Sequence, residues 1–175
     1  MPPRANTPLP TRRWRKALDR LWNPWRFQYV SKENRPEGCI FCDLPKEQND
    51  AATLIVYRGR LNYVILNRFP YTTGHLMVVP FQHTDSLTRI DESTAQEMFS
   101  LVRTADMKLR EVYRPKGMNL GMNLGEAAGA GIAEHIHMHV LPRWIGDANF
   151  MTVIGETRIL PEDLSETYRK LKAVF

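Results

Sequence analysis

The sequence predicts an α+β domain spanning most of its 175 residues, and three observations carry that prediction. Apolar runs of strand length, rich in β-branched residues and parted by turn residues, recur between positions 53 and 79. From Ser93 the apolar period changes from two to about 3.6, with Met98, Val102, Ala105, Leu109 and Val112 on one face. Strand-like runs then return at positions 118–124 and 136–141, ahead of a last amphipathic segment. Hydrophobic residues make up 43% and charged residues 25% of the chain, the ordinary globular balance, which excludes a fibrous repeat or wholesale disorder. The length suits one domain with a real core and is too short for two.

Taken in order, residues 1–10 are rich in Pro, Ala and Asn without periodicity and are expected to carry no structure. Trp14, Leu18 and Leu21 fall on one face of a short helix that Asn23-Pro24 ends. Trp22, Trp25, Phe27 and Tyr29 offer large apolar surface expected to pack on the main domain. This divides the chain into a basic, flexible arm over residues 1–20 and a domain over residues 21–175. Residues 45–50 are polar and turn-like, and residues 53–57 read as a strand. Gly59 marks a turn, and strands follow at residues 61–66 and 75–79 around a loop containing Pro70 and Gly74, an order that fits a β-meander. The long helix is capped by Ser93 or by Asp91 and runs to Arg114-Pro115. Pro161-Glu162-Asp163 opens a last helix with Leu164, Tyr168 and Leu171 on one face.

The net charge of +5 is unevenly placed: residues 1–36 hold nine Lys/Arg against two acids, so that stretch carries +7 and the remainder −2. Such an arm suits nucleic acid, an anionic surface or a polyphosphate, or is a solvated tail. No apolar run reaches the ~20 residues needed to span a bilayer, and the first residues lack the apolar stretch of a signal peptide. A cytoplasmic protein with no membrane partner is therefore expected. Cys39 and Cys42 are the only cysteines, too few for a disulfide framework. Their C-x-x-C spacing fits a redox pair, half of a zinc site, or an accidental pair.

The sharpest signal is His135-Ile136-His137-Met138-His139. On a strand these imidazoles project from one face at roughly 6.5–7 Å intervals, while Ile136, Met138 and Val140 point into the core. A row of strand histidines can share a metal. The alternative is phosphate chemistry, because the loop Asn123-Leu124-Gly125-Glu126-Ala127-Ala128-Gly129-Ala130-Gly131 leads straight into the row. Glycines there let backbone N–H groups approach an anion. A neutral imidazole attacks phosphorus well and leaves readily, so a covalent intermediate splits one hard transfer into two easier ones. The central histidine is best placed for attack, and its neighbours are placed to bind phosphoryl oxygens or the leaving group.

These residues resemble a known family. His135-Ile136-His137-Met138-His139-Val140-Leu141 is similar to the H-φ-H-φ-H-φ-φ signature of the histidine-triad (HIT) superfamily, and Asn67-Arg68-Phe69-Pro70-Tyr71-Thr72-Thr73-Gly74-His75 resembles its N-x-x-P-x-x-x-G-H segment. Pro142-Arg143-Trp144-Ile145-Gly146-Asp147-Ala148-Asn149-Phe150 and Leu21-Trp22-Asn23-Pro24-Trp25-Arg26 are similar to the branch that includes bacterial diadenosine tetraphosphate phosphorylases. The likeness covers about residues 20–172. It implies a HIT-like fold with a five-stranded antiparallel sheet, one long helix and a C-terminal helix, usually paired as a homodimer whose sheets adjoin. It implies His137 as the nucleophile that forms a nucleotidyl-histidine, His139 near the scissile phosphate and His135 as the third member of the triad. Asn67 would reach the ribose, and Asn123 with the backbone of Gly129, Ala130 and Gly131 would hold phosphates. For both asparagines the other reading is a turn-stabilising side-chain contact.

Dinucleoside hydrolases of the superfamily typically carry Gln four residues before the first triad histidine, followed by Ser or Thr, where this chain has Gly131 and Ile132. Loss of that amide favours orthophosphate over water as acceptor. The expected reaction is cleavage of a dinucleoside polyphosphate at the α-phosphorus. A hydrolase of dinucleoside polyphosphates or phosphoramidates, an adenylyl-sulfate phosphorylase, and a zinc-stabilised nucleic-acid-binding or interaction protein are the alternatives. Gly38-Cys39-Ile40-Phe41-Cys42 resembles the C-x-x-C of zinc-containing members, whose other ligands correspond to His83 and His135; a structural Cys₂His₂ zinc is the implied cofactor. Magnesium is expected only as a companion of the substrate. His75 is expected to be a buried hydrogen-bonding residue.

Overall fold

The computed structural model describes residues 38–149, 152, 154 and 160–175; the basic arm, the expected helix around Trp14 and the aromatic residues from Trp22 to Tyr29 lie outside them. Five antiparallel strands, β1 (Ile55–Arg58), β2 (Asn62–Leu66), β3 (Leu76–Pro80), β4 (Gly117–Gly121) and β5 (Met138–Arg143), form one sheet in the order β1-β2-β3-β5-β4. The first three make the expected meander. β5 then enters between β3 and β4, which seats the last strand among the described residues near the centre of the sheet.

Two short helices, α1 (Ile40–Asp43) and α2 (Asp50–Thr53), precede the sheet. The latter corrects the expected strand start: Thr53 ends a helical turn, capped by the Asn49 side chain accepting from Ala52 N–H. Leu54, with φ of +65°, then turns the chain into β1. Local turn chemistry from Asn49 outweighs the β-branched composition.

The long helix α3 (Glu92–Tyr113) starts at Asp91, whose carboxylate accepts from Thr94 N–H at 2.7 Å, so Asp91 and not Ser93 is the cap. Asp163 caps α4 (Leu164–Lys172) in the same way. Both helices cover one face of the sheet: Met98, Leu101, Val102, Ala105, Leu109 and Leu171 pack against Val64, Leu66, Leu76, Val78, Ile136 and Val140. The other face carries Tyr63, Ile65, Met77 and Val79 beneath Phe41 of α1. Because both faces are covered, every residue of β2 and β3 is buried, which is why these strands read as continuous apolar runs. No helix among the described residues is long and apolar enough to cross a membrane.

One carboxylate ties helix to sheet. Glu97 of α3 accepts from the backbone N–H groups of Arg60, Leu61 and Asn62 at 2.9, 2.7 and 2.7 Å and from the Asn62 amide at 2.9 Å, closing the β1–β2 turn. Gly59 is required there, since a Cβ would stand 2.7 Å from the Asn62 carbonyl oxygen. Burial pushes the Glu97 pKa up, but these hydrogen bonds prevail and hold it below the ordinary value. Its contribution to stability is therefore present above the unfolded-state pKa and is lost as pH falls through the folded one. Glu97→Ala is expected to cost about 2–3 kcal/mol at neutral pH, measured by urea unfolding, with the gap to the unmodified protein closing below about pH 4.

Candidate active site

The sheet brings the histidines onto the α1 face and sends Ile136 and Val140 to the helical face, as the alternation required. Regular β5 pairing starts only at Met138, so His135, at a bend, and His137 lie on the segment leading into it and His139 lies within it. All three are buried, with exposures of 0%, 5% and 7%. They nevertheless sit in different surroundings.

His135 belongs to a metal-type cluster. Its Nδ1 lies 3.3 Å from Cys39 Sγ and 3.5 Å from Cys42 Sγ, and His83 Nδ1 lies 3.3 Å from Cys42 Sγ. All four donor atoms fall within 4.8 Å of one another. Bond lengths of about 2.3 Å to sulfur and 2.0 Å to nitrogen place the donors of a tetrahedral site roughly 3.3–3.8 Å apart, so the group fits such an ion. His135 Nε2–H donates to the Pro80 carbonyl at 2.9 Å, which leaves Nδ1 unprotonated and aimed at the sulfurs. Without a metal, burial pushes the Cys39 thiol up to about 11.

His137 is oriented by its own backbone neighbour: Nδ1–H donates to the His135 carbonyl at 2.9 Å. A carbonyl only accepts, so the proton is on Nδ1 and the lone pair on Nε2. Burial holds its pKa below the usual value, so the ring is neutral. The Phe41 ring lies against it at a centroid distance of 4.9 Å and touches His135 at 5.6 Å. Phe41 is itself anchored, its carbonyl accepting from Tyr63 O–H at 2.8 Å.

His139 is set by a chain of hydrogen bonds that starts in the loop of residues 67–74. Tyr71 N–H donates to His75 Nδ1 at 3.1 Å, and a backbone N–H can only donate. Neutral His75 therefore carries its proton on Nε2 and donates it to His139 Nδ1 at 2.9 Å. His139 must then hold its own proton on Nε2. Burial, with the neighbouring His137, pushes its pKa down to about 4, so it acts as a neutral donor. The triad thus presents a lone pair on His137 beside an N–H on His139, with ring centroids 4.9 Å apart. His75→Phe is expected to leave the His137 lone pair in place but lower kcat about 10- to 100-fold, measured by steady-state turnover of the dinucleoside polyphosphate expected from the sequence.

Both histidines open on a cleft lined by Ile40, Phe41, Leu44 and Leu54 on an apolar side and by Asn67, Asn123 and Gly131 on a polar one. Asn67 is already engaged: its oxygen accepts from Phe69 N–H at 2.9 Å and its amide lies 3.3 Å from His75 Nδ1, the turn-stabilising contact anticipated as the other reading. Gly129 and Ala130 do not line the cleft; their N–H groups donate within the loop to Glu126 and Gly125 carbonyls. Sequence reasoning assigned Cys39 and Cys42 to metal and missed the two residues between them, Ile40 and Phe41, which wall the cleft. The C-x-x-C spacing turns the intervening residues away from the sulfurs, and that was the available signal.

A family model described as the HIT domain matches residues 48–144. A protein of Mycobacterium tuberculosis named AP-4-A phosphorylase is 39% identical over 165 residues, covering 90% of this chain and 84% of that protein. A zinc-bound histidine triad family protein from Mycobacterium smegmatis superposes with a TM-score of 0.63 at 31% identity, over 78% of this chain and 92% of that one. A hypothetical histidine triad nucleotide-binding protein from Sulfolobus tokodaii gives 0.61 at 26% identity, over 78% of this chain and 88% of that one.

Proposed function

Because this chain belongs to the HIT domain family, we propose that it cleaves dinucleoside polyphosphates, with diadenosine tetraphosphate as the type substrate, at the α-phosphorus and transfers the nucleotidyl group to orthophosphate. The observation that carries the reading is the pinned tautomer of His137, whose Nε2 lone pair is directed away from its hydrogen bond to the His135 carbonyl. In the first step Nε2 bonds to the α-phosphorus, and the bond from that phosphorus to the bridging oxygen breaks, releasing ATP. The N–H of His139 hydrogen-bonds the oxygen that gathers charge. In the second step an orthophosphate oxygen attacks the same phosphorus and expels His137, giving ADP. Asn67, through the second lone pair of its oxygen, contacts the ribose, and Asn123 and Gly131 face the phosphates.

Phosphate as acceptor is supported by Gly131 and Ile132 standing where a Gln and a Ser or Thr would help position water, and by the name of the mycobacterial relative. Zinc is the ion proposed for Cys39, Cys42, His83 and His135; its role is to clamp α1 to the segment carrying His135, with no part in the transfer. A homodimer joined along the open edge of β4 would cover the exposed Leu120.

The deciding experiment is product analysis of diadenosine tetraphosphate incubated with the purified protein, with and without orthophosphate, using His137→Ala as blank. ADP plus ATP formed only with phosphate supports the phosphorylase. AMP plus ATP without phosphate makes water the acceptor, and no turnover in either case sinks the substrate assignment.

A further inference from the structure

Cys39 and Cys42 are both reduced and both half-buried. Cys39 stands at the start of α1 and Cys42 within its first turn, and the Cys42 N–H donates to the Cys39 carbonyl at 2.9 Å. A turn closed in this way holds its end Cα atoms within about 7 Å, and a disulfide spans roughly 4.4–6.8 Å between Cα atoms. The two sulfurs already lie within 4.8 Å of one another. The pair that supplies half of the metal set is therefore also placed to join to itself, and it cannot do both at once.

The sulfurs differ in access. Cys42 lies beside His83, which is exposed, whereas Cys39 lies beside His135, which is fully buried. A small solute therefore meets Cys42 first. From the cysteines, two short routes lead to the cleft. Ile40 and Phe41, between them, wall it, and the Phe41 ring lies 5.6 Å from His135 and 4.9 Å from His137. The His135 carbonyl accepts from His137 Nδ1–H, so the residue that faces the sulfurs is also the one that fixes the tautomer of His137.

We infer that Cys39 and Cys42 form a peroxide-sensitive switch, in which a disulfide between them breaks up the metal set and slackens both the wall of the cleft and the support of His137. This rests on the zinc reading above and adds its regulation. A thiolate held in such a set is deprotonated and remains a nucleophile. Cys42 Sγ attacks one oxygen of hydrogen peroxide, the O–O bond breaks, hydroxide leaves and a sulfenic acid remains on Cys42. Cys39 Sγ then attacks the Cys42 sulfur, the S–O bond breaks and a second hydroxide leaves. Two electrons have passed from the sulfurs to the peroxide, and two protons from solvent turn both hydroxides into water. Only His83 and His135 then remain as donors, two where a closed tetrahedral site needs four.

The test exposes full-length, zinc-loaded protein to graded hydrogen peroxide. Zinc is captured by a chromogenic chelator, the Cys39–Cys42 crosslink is mapped by mass spectrometry after alkylation, and AMP affinity is measured by calorimetry. One zinc is expected to leave for each crosslink formed. AMP affinity is expected to fall about tenfold, as for a site whose competent form has dropped to about a tenth. Dithiothreitol followed by zinc should restore both, which separates the switch from methionine oxidation, a change dithiothreitol does not reverse. Zinc retained at peroxide levels that oxidise methionines, or released without a crosslink or without a change in AMP affinity, overturns the switch while the zinc reading stands. Protein that holds no zinc as purified and takes up none when it is added overturns the zinc reading and the switch with it.

Discussion

His137→Ala is expected to lower kcat for diadenosine tetraphosphate cleavage by about five orders of magnitude while leaving a folded, metal-containing protein. The loss is large because no neighbour can take over. His135 is turned toward the two sulfurs with its other nitrogen on the Pro80 carbonyl, and His139 presents an N–H, not a lone pair, toward the cleft. Water could attack directly, but the reaction would forfeit the covalent intermediate that divides the barrier. The structural cost is modest, because the ring makes one polar contact, to a carbonyl that water entering the vacated space can satisfy. Radiolabelled substrate should leave an acid-labile nucleotidyl group on the unmodified protein and none on the variant. Activity within tenfold of the unmodified protein would remove His137 from the chemistry.

The second large effect is on stability. Cys42→Ser is expected to abolish binding of one zinc per chain and to lower Tm by about 10 °C. The four donors come from α1, from the turn after β3 and from the segment entering β5, so one ion held by them would tie together three stretches up to 96 residues apart. Breaking the set also frees α1, and with it Ile40 and Phe41, which form a wall of the cleft. Nucleotide affinity should therefore fall together with Tm. Metal content by mass spectrometry, a thermal melt and nucleotide binding measured on the same preparations check the three consequences. An unchanged Tm at full loss of zinc would mean that the hydrogen bonds between the bare side chains suffice.

Much of this protein could be read along the chain because its signals are local. Period two against period 3.6 separated strands from the long helix, and the alternation of His135, His137 and His139 with Ile136 and Val140 assigned one face to chemistry and the other to the core. The HIT resemblance supplied the sheet and the candidate metal donors, and the structure brings all four donors together. The displaced start of β1 was also local in cause, Asn49 capping a helical turn there, and of the two caps open for the long helix the structure uses Asp91.

Contacts between distant segments lay beyond the reach of pattern. Which nitrogen of each histidine carries its proton depends on a carbonyl two residues away for His137, on Pro80 for His135, and on the chain from Tyr71 through His75 for His139. Periodicity records which face a side chain occupies; it carries no information about what waits on that face from elsewhere in the chain. The fold class and the identity of the triad were therefore determined by the sequence itself. The tautomers of His135 and His139, which aim one imidazole at the sulfurs and leave an N–H on the other toward the cleft, were decided only by tertiary structure, because hydrogen-bond direction there is set by partners that the fold alone brings within 3 Å or so.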